Sequence, residues 1–230
     1  MSISSDDKEE SIEGSCTIEE EKNNWVSIDA KTCKGLYGLG ISAVAPRPVA
    51  VITSKSKAGI LNCAPFSYTG LMSHDPPLVC HSICLSRKGK KDSLVNIEET
   101  KEWVYNVLSD TWISEANACA EEFEADINEL EKAGLDTIAS EQIDVPRVKQ
   151  ALVSMECELE SKKEVYNDDG NHTTTIVFGR IVKYHIHKSV LGGTEERPIV
   201  DLEKARLVGR VGGVTYWPAG EGKAISMKRP

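Results

Sequence analysis

Apolar and polar positions alternate without a slip through Val153-Ser-Met155-Glu-Cys157-Glu-Leu159-Glu160. That period of two predicts a half-buried strand with one wet face. Residues 49–52 form instead a short apolar run suited to a buried strand; turn-forming residues follow at 55–59, and 60–64 return as a second strand. Pro65 lacks an N–H, so it is expected to stop that ladder and release Phe66, Ser67 and Tyr68 into a loop. Residues 78–85, 103–108 and 173–187 read as further strands, with a turn at 167–171 and with Gly179 as a bulge or a point of close approach.

Helical spacing appears in two places. Residues 111–134 carry Ile113, Ala116, Ala120, Phe123, Ile127 and Leu130 in a pattern that predicts two helices over one side of the strands. A shorter helix is expected to begin at Ser93, capped by Asp92, with Leu94 and Ile97 on its apolar face. Pro146 opens a short turn or helix, and residues 209–217 read as irregular. Gly35-Leu-Tyr-Gly38-Leu-Gly40 has the spacing GxxGxG and no strand before it, so it fails the context of a dinucleotide loop and reads as a loop leading into the first strand. At least six strands with two inserted helices favour an all-β fold, a closed antiparallel barrel with peripheral helices, over a parallel sheet.

The 230 residues, 40% hydrophobic, suffice for one well-cored domain. We expect that domain at residues 25–222, a disordered acidic tail at 1–24 and a short C-terminal tail at 223–230. The net charge of −9 is uneven: residues 1–22 hold eight acids and two lysines, a balance of −6, which leaves −3 for the rest. That distribution argues against nucleic acid as a partner. The chain has no 18-residue apolar run, so no membrane span is expected. Its first residues are polar and acidic, unlike a signal peptide, and its seven cysteines follow no small-scaffold pattern; reduced thiols and a cytoplasmic location are the expectation.

Candidate chemistry gathers in two stretches. Thr53, Ser54, Asn62 and Ser67 would cluster at one end of the first hairpin, small polar groups on an apolar base of the kind that holds a small molecule. The basic turn Lys88-Gly-Lys90-Lys91 meets the start of the helix, where unpaired N–H groups and the helix dipole favour an anion. Taken by composition alone, an ordinary solvated turn is the commoner reading. Cys80 and Cys84, four apart on a strand, lie too far apart for one ion and read as buried thiols. His185 and His187 share a strand face without a third ligand and read as rim histidines. No catalytic acid, base or nucleophile and no metal site is assigned.

The ordered segments "PRPVAVITS", "GILNCAPFSY", "SHDPPLV", "KKDSLVNIEET", "FEADINELEKAGL", "VPRVKQALVSMECELE", "FGRIVKYHIH" and "VGRVGGVTYW" together resemble the flavin reductase-like proteins, over roughly residues 42–217. Cys63 departs from the pattern, standing where Leu or a similar residue is common. The resemblance implies an FMN-binding split barrel of Greek-key type, and a homodimer with FMN near the subunit interface. It places Ser67, Lys91 and Ser93 at the phosphate, with Asp92 also among the cofactor-binding residues, and Arg47, Asn62 and amides near Ala64 at the flavin ring or ribityl chain. Thr53 and Ser54 stand at a further cofactor-facing position, while Arg210 and Tyr216 belong to a C-terminal element that closes the site. The implied activity is that of an FMN-dependent oxidoreductase: NADH or NADPH gives hydride to flavin N5, and the electrons pass to an unknown small-molecule acceptor. The competing expectations are an FMN-binding module without turnover that meets a protein partner, or a related barrel holding pyridoxal phosphate or haem.

Overall fold

The computed structural model describes residues 18–20, 24–33 and 35–219. They divide into two compact units, before and after the junction of Val44 and Ala45. Of the acidic tail expected at 1–24, residues 1–17 and 21–23 lie outside the described residues, as does the expected C-terminal tail at 223–230.

In the first unit, Ile18–Glu20 pairs antiparallel with Val26–Ile28, so part of the segment expected to be disordered is a strand. The glycine-spaced stretch expected as a loop is instead helix α1, Leu36–Ala43. Leu36, Leu39, Ile41 and Ala43 carry it despite two internal glycines, each of which costs about 1 kcal/mol relative to alanine. Cys33 is disulfide-bonded, unlike the reduced thiols expected.

The second unit is built on seven antiparallel strands: β1 (Ala50–Lys55), β2 (Leu61–Phe66), β3 (Thr69–His74), β4 (Pro77–Cys84), β5 (Glu102–Val107), β6 (Val153–Tyr166) and β7 (His172–Ile186). Their spatial order is β2-β1-β5-β6-β7-β4-β3. β5, β6 and β7 follow one another as neighbours while β4 lies beside β7, a Greek-key arrangement. The closed barrel expected from the strand count is not closed by hydrogen bonds: β2 and β3 are the two edges, joined by Ser67 and Tyr68 alone. The barrel is split there. Pro65 does not end its ladder as expected; it pairs with Val51 inside β2, and its missing N–H falls on the open edge, where nothing needs it.

β1 separates two cores. Ala50 and Ile52 face the barrel interior with Phe66, Trp103 and Val177, against Leu94 and Ile97 of helix α2 (Asp92–Thr100). Val49 and Val51 face a second core with Trp112, Leu130 and Val148. A strand buried on both faces explains the unbroken apolar run in the sequence. The polar residue between the layers is Asn106, fully buried on β5. Its Nδ2 donates to Val51 O at 3.0 Å and Thr53 Oγ1 at 3.3 Å, and its Oδ1 accepts from Val148 N and Ser154 Oγ, each at 3.0 Å. All four hydrogen bonds open to an amide side chain are made.

The long helices expected over residues 111–134 are reduced to a short 3-10 turn, helix α3 (Ile113–Ala118) and the single turn α4 (Glu129–Lys132). The segment between α3 and α4 is irregular because Asp126 and Asn128 favour turns and caps in a stretch too short to hold a helix without packing. Residues 209–217, expected to be irregular, form a hairpin: Val208–Val211 pairs with Thr215–Pro218 and with Arg47–Pro48, and Gly212 at φ +59° makes the reversal. Cys80 is half-buried and Cys84 exposed, so the expected burial of both thiols does not hold.

Candidate functional site

A cleft of about 410 Å³ opens between β2, the start of α2 and the irregular segment after α3. Alternation along β2 turns Asn62 and Ala64 to the same side, and both line it. Lys91, Asp92 and Ser93 meet them from the start of α2.

The chemistry of this junction follows from how α2 begins. The helix starts at Asp92, one residue before the expected Ser93, and Asp92 does not cap it. Lys91 stands at the N-cap with φ −73° and ψ 152°, and no side chain caps the first turn. Lys91 O takes the bonds from Leu94 N at 2.9 Å and Val95 N at 3.1 Å. The N–H groups of Asp92 and Ser93 precede those bonds and belong to the set that a helix cannot satisfy internally. They give the cleft a donor-rich, dipole-positive end suited to an anion.

The remaining charges are mixed. Lys88, Lys90 and Lys91 line the cleft beside Asp92 and the glutamates 121, 122, 124 and 129. Lys90 is held away by Glu98, at 2.6 Å, and Lys88 reaches Glu124 at 3.6 Å. An apolar wall comes from Pro65, Phe66 and Phe123.

Glu129 was not legible in the sequence except as part of a helical pattern. It opens α4, is 8% exposed, and accepts a hydrogen bond from Cys63 N at 2.7 Å. Burial raises its carboxyl to about 7, with Asp92 adding to the rise and the Cys63 N–H opposing it. Cys119 lies at the cleft wall; burial and a hydrogen bond with Cys119 push the Cys63 thiol well up, the hydrogen bond being the larger cause. The sequence signal that could have marked Glu129 is Asn128, whose side chain caps the short turn and so fixes which residue begins it.

The eleven residues expected at a cofactor are not all brought together. Asn62, Ala64, Lys91, Asp92 and Ser93 meet in the cleft. Ser67 sits half-buried in the link between β2 and β3 and lines neither of the two larger cavities. Thr53 and Ser54 are fully buried behind the site. Thr53 Oγ1 donates to Pro146 O at 2.8 Å, and Ser54 Oγ accepts from Asn96 of α2 at 3.1 Å, so Ser54 anchors the helix rather than facing the cleft. Arg47, Arg210 and Tyr216 group elsewhere. Arg210 pairs in register with Arg47, donates twice to Gly213 O at 3.0 and 2.8 Å, and lies 4.4 Å over the Tyr216 ring. Arg47 lines a second, apolar cavity of about 650 Å³ with Tyr105, Met155, Tyr184 and Trp217.

Among the described residues no group of three or more histidine, cysteine or acidic side chains is placed to hold a metal, and no helix is long and apolar enough to cross a membrane. His185 is not a free rim histidine: its Nε2 meets the buried Glu156 at 2.5 Å.

Residues 42–204 match the flavin reductase like domain. An uncharacterised protein of Aquifex aeolicus is 36% identical over 182 residues, which is 79% of this chain and 88% of that relative. Among solved structures, nitrilotriacetate monooxygenase component B from Bacillus cereus is similar with a TM-score of 0.81 and 30% identity, over 88% of this chain and 100% of that one. The 2-nitrobenzoate 2-nitroreductase NbaA of Pseudomonas fluorescens is similar with a TM-score of 0.76 and 29% identity, over 88% and 96%.

Proposed function

The chain belongs to the flavin reductase-like family, and on that premise we propose that the cleft between β2 and α2 binds FMN and that the protein is an FMN-dependent oxidoreductase. The observation that carries this reading is the uncapped start of α2, which opens with Lys91 onto a cleft with an apolar wall. A phosphate monoester needs N–H donors and a cation; an isoalloxazine ring needs an apolar surface with polar groups at its rim. Both requirements fit the residues present.

In this reading the amides of Asp92 and Ser93, the Ser93 hydroxyl and Lys91 hold the phosphate. Pro65, Phe66 and Phe123 shield the ring from water, and Asn62 and the backbone near Ala64 supply polar contacts. Ser54 acts from behind by fixing Asn96, and with it the start of α2. Bound FMN supplies a hydride acceptor at N5 for NADH or NADPH, from which electrons go on to a small-molecule acceptor. The printed names of the two solved relatives, a monooxygenase component and a nitroreductase, support redox chemistry of this kind. A homodimer completes the reading: Leu71, Tyr184 and Trp217 are exposed around the apolar 650 Å³ cavity, beside an equally exposed Met72, and a second copy would cover them.

Titration of the protein with FMN, followed by absorbance and flavin fluorescence, tests the site. The expected result is a shifted flavin spectrum, quenched emission, and oxidation of NADH or NADPH faster than free FMN supports. An unchanged spectrum at saturating protein refutes the FMN reading. Binding without turnover above free flavin refutes the oxidoreductase and leaves a flavin-binding module.

A further inference from the structure

We propose that Glu129 is a positioning residue whose proton sets the direction of a hydrogen-bond relay through Asn62 to Ser93, and thereby decides whether Ser93 donates to a phosphate monoester in the cleft. The inference rests on the FMN reading above and adds to it a residue and a control.

The relay stands on the geometry of one amide. Asn62 lies between Glu129 and Ser93, and one of its two amide orientations satisfies all its neighbours while Glu129 is ionised. In the first, its nitrogen donates to the two carboxylate oxygens of Glu129 at 3.2 and 3.3 Å, and its oxygen accepts from Ser93 Oγ at 2.8 Å and from Cys63 N at 3.1 Å. In the second, the amide is turned over: its nitrogen donates to Ser93 Oγ at 2.8 Å but stands 3.1 Å from Cys63 N, another donor, and its oxygen faces Glu129, so this orientation is unfavourable unless Glu129 carries a proton. Cys63 N donates to Glu129 in either case.

The two orientations need different protonation states. An ionised carboxylate only accepts, so it selects the first orientation. Asn62 then takes the Ser93 hydroxyl hydrogen, and Ser93 turns lone pairs toward the cleft, which repels an anion. A protonated Glu129 donates to the Asn62 oxygen and selects the second. Asn62 then donates to Ser93, whose own hydrogen is released to a phosphate oxygen. One proton therefore moves one donor into or out of the anion site, and it also removes a negative charge from the cleft wall.

Other titratable groups face the relay. Asp92 approaches from α2, Cys63 from β2 and Cys119 from the end of α3, with Lys88, Lys90, Lys91 and the glutamates 121, 122 and 124 around the opening. Buried as it is, the Glu129 carboxyl has been raised to about 7, so the switch falls near neutrality. Phosphate binding stabilises the protonated form further, so binding takes up a proton.

The test is the FMN dissociation constant of wild type, Glu129→Gln and Ser93→Ala between about pH 6 and about pH 8.5. The amide of Glu129→Gln mimics the protonated acid, donating to Asn62 without titrating. Relative to Glu129→Gln, wild type is expected to lose about tenfold in affinity across that window, the order expected for one charge and one charge-assisted hydrogen bond. The second ionisation of the phosphate itself is common to all three proteins and cancels in the comparison. Ser93→Ala, which cuts the relay but leaves the Glu129 charge, is expected to bind more weakly and with a clearly shallower dependence than wild type. Riboflavin, which has no phosphate, is expected to show none. A wild-type slope retained in Glu129→Gln, in Ser93→Ala or with riboflavin overturns the proposal. Calorimetry of wild type at about pH 7.5, in two buffers of different ionisation heat, keeps the test independent of variants: net proton uptake is expected, and none overturns it. A wild-type protein that binds no FMN at any pH instead removes the FMN reading, and this inference with it.

Discussion

Replacing Glu156 by alanine is expected to cost about 3–5 kcal/mol of folding stability, because it leaves several buried donors without their acceptor at once. Glu156 is fully buried on β6. Its carboxylate accepts from the backbone N–H groups of Glu141 at 2.8 Å, Gln142 at 2.7 Å and Ile143 at 3.2 Å, and from His185 Nε2 at 2.5 Å. Those bonds pin the segment 141–143 over the sheet, with Ile143 and Val145 packed against Val104 of β5. Without the carboxylate, three N–H groups and an imidazole must find water or stay unpaired, and the segment lifts.

The pH dependence has a definite sign. Burial opposes ionisation of Glu156, but the Glu141 N–H, His185 and the Gln142 N–H outweigh it and hold the carboxyl below its ordinary value. A depressed acid stabilises the fold fully above its unfolded value, and that contribution is lost as pH falls through the folded value. The gap between wild type and Glu156→Ala in chemical denaturation is therefore expected to be full near neutrality and to close under acid. A difference under about 1 kcal/mol at neutral pH, the size of one ordinary hydrogen bond, would show that the network is not cooperative.

The second large effect is expected at Gly179, where alanine should cost about 3 kcal/mol by overpacking. A Cβ built there would lie 2.2 and 2.6 Å from ring atoms of Trp103. Trp103 is fully buried in the barrel core with Phe66, Leu94 and Cys157, and it meets His81 edge-on at 5.4 Å. The ring has no free direction in which to give way, since cores are close-packed. Gly179 is thus held by the space around it, between Leu159 of β6 and Val79 of β4, rather than by backbone conformation. A double-mutant cycle checks the cause. Gly179→Ala combined with Trp103→Leu should cost clearly less than the sum of the two single changes. Additive losses would place the strain elsewhere.

These two positions also show what the sequence could and could not reveal. Gly179 in a Val- and Thr-rich strand announces a close approach, and the approach is there. Glu156 sits at a polar position of the cleanest alternation in the chain, which predicts a wet face. The strand is real, but Ser154 and Glu156 are both buried, because residues 141–148 return over that face. Periodicity reports which side of a strand a residue takes, not what a later segment lays upon it. The same limit governs the cleft. Asn62 and Ala64 share a face by alternation, and the Lys91–Ser93 junction is marked by its charge and its helix start. Their meeting was legible only through resemblance. Glu129 was invisible because its contact with Cys63 spans 66 residues. Thr53 and Ser54 are polar in a buried strand, and the alternative to facing a ligand, bonding inward to Pro146 and Asn96, is what the fold adopts.

The burial of β1 on both faces has a cost in specification. A strand with one wet face resists slipping, because a shift of one residue would expose its apolar set. In β1 such a shift would merely exchange Val49 and Val51 for Ala50 and Ile52 between two apolar layers. Hydrophobicity alone therefore leaves two alignments of this strand nearly degenerate. What separates them is polar: the Asn106 amide reads Val51 O and Thr53 Oγ1, and Thr53 in turn reads Pro146 O. Asn106 acts as an index mark for the central strand, and the cleft inherits its alignment, since Asn62 and Ala64 line the α2 junction with Ser54 and Ile52 standing opposite them.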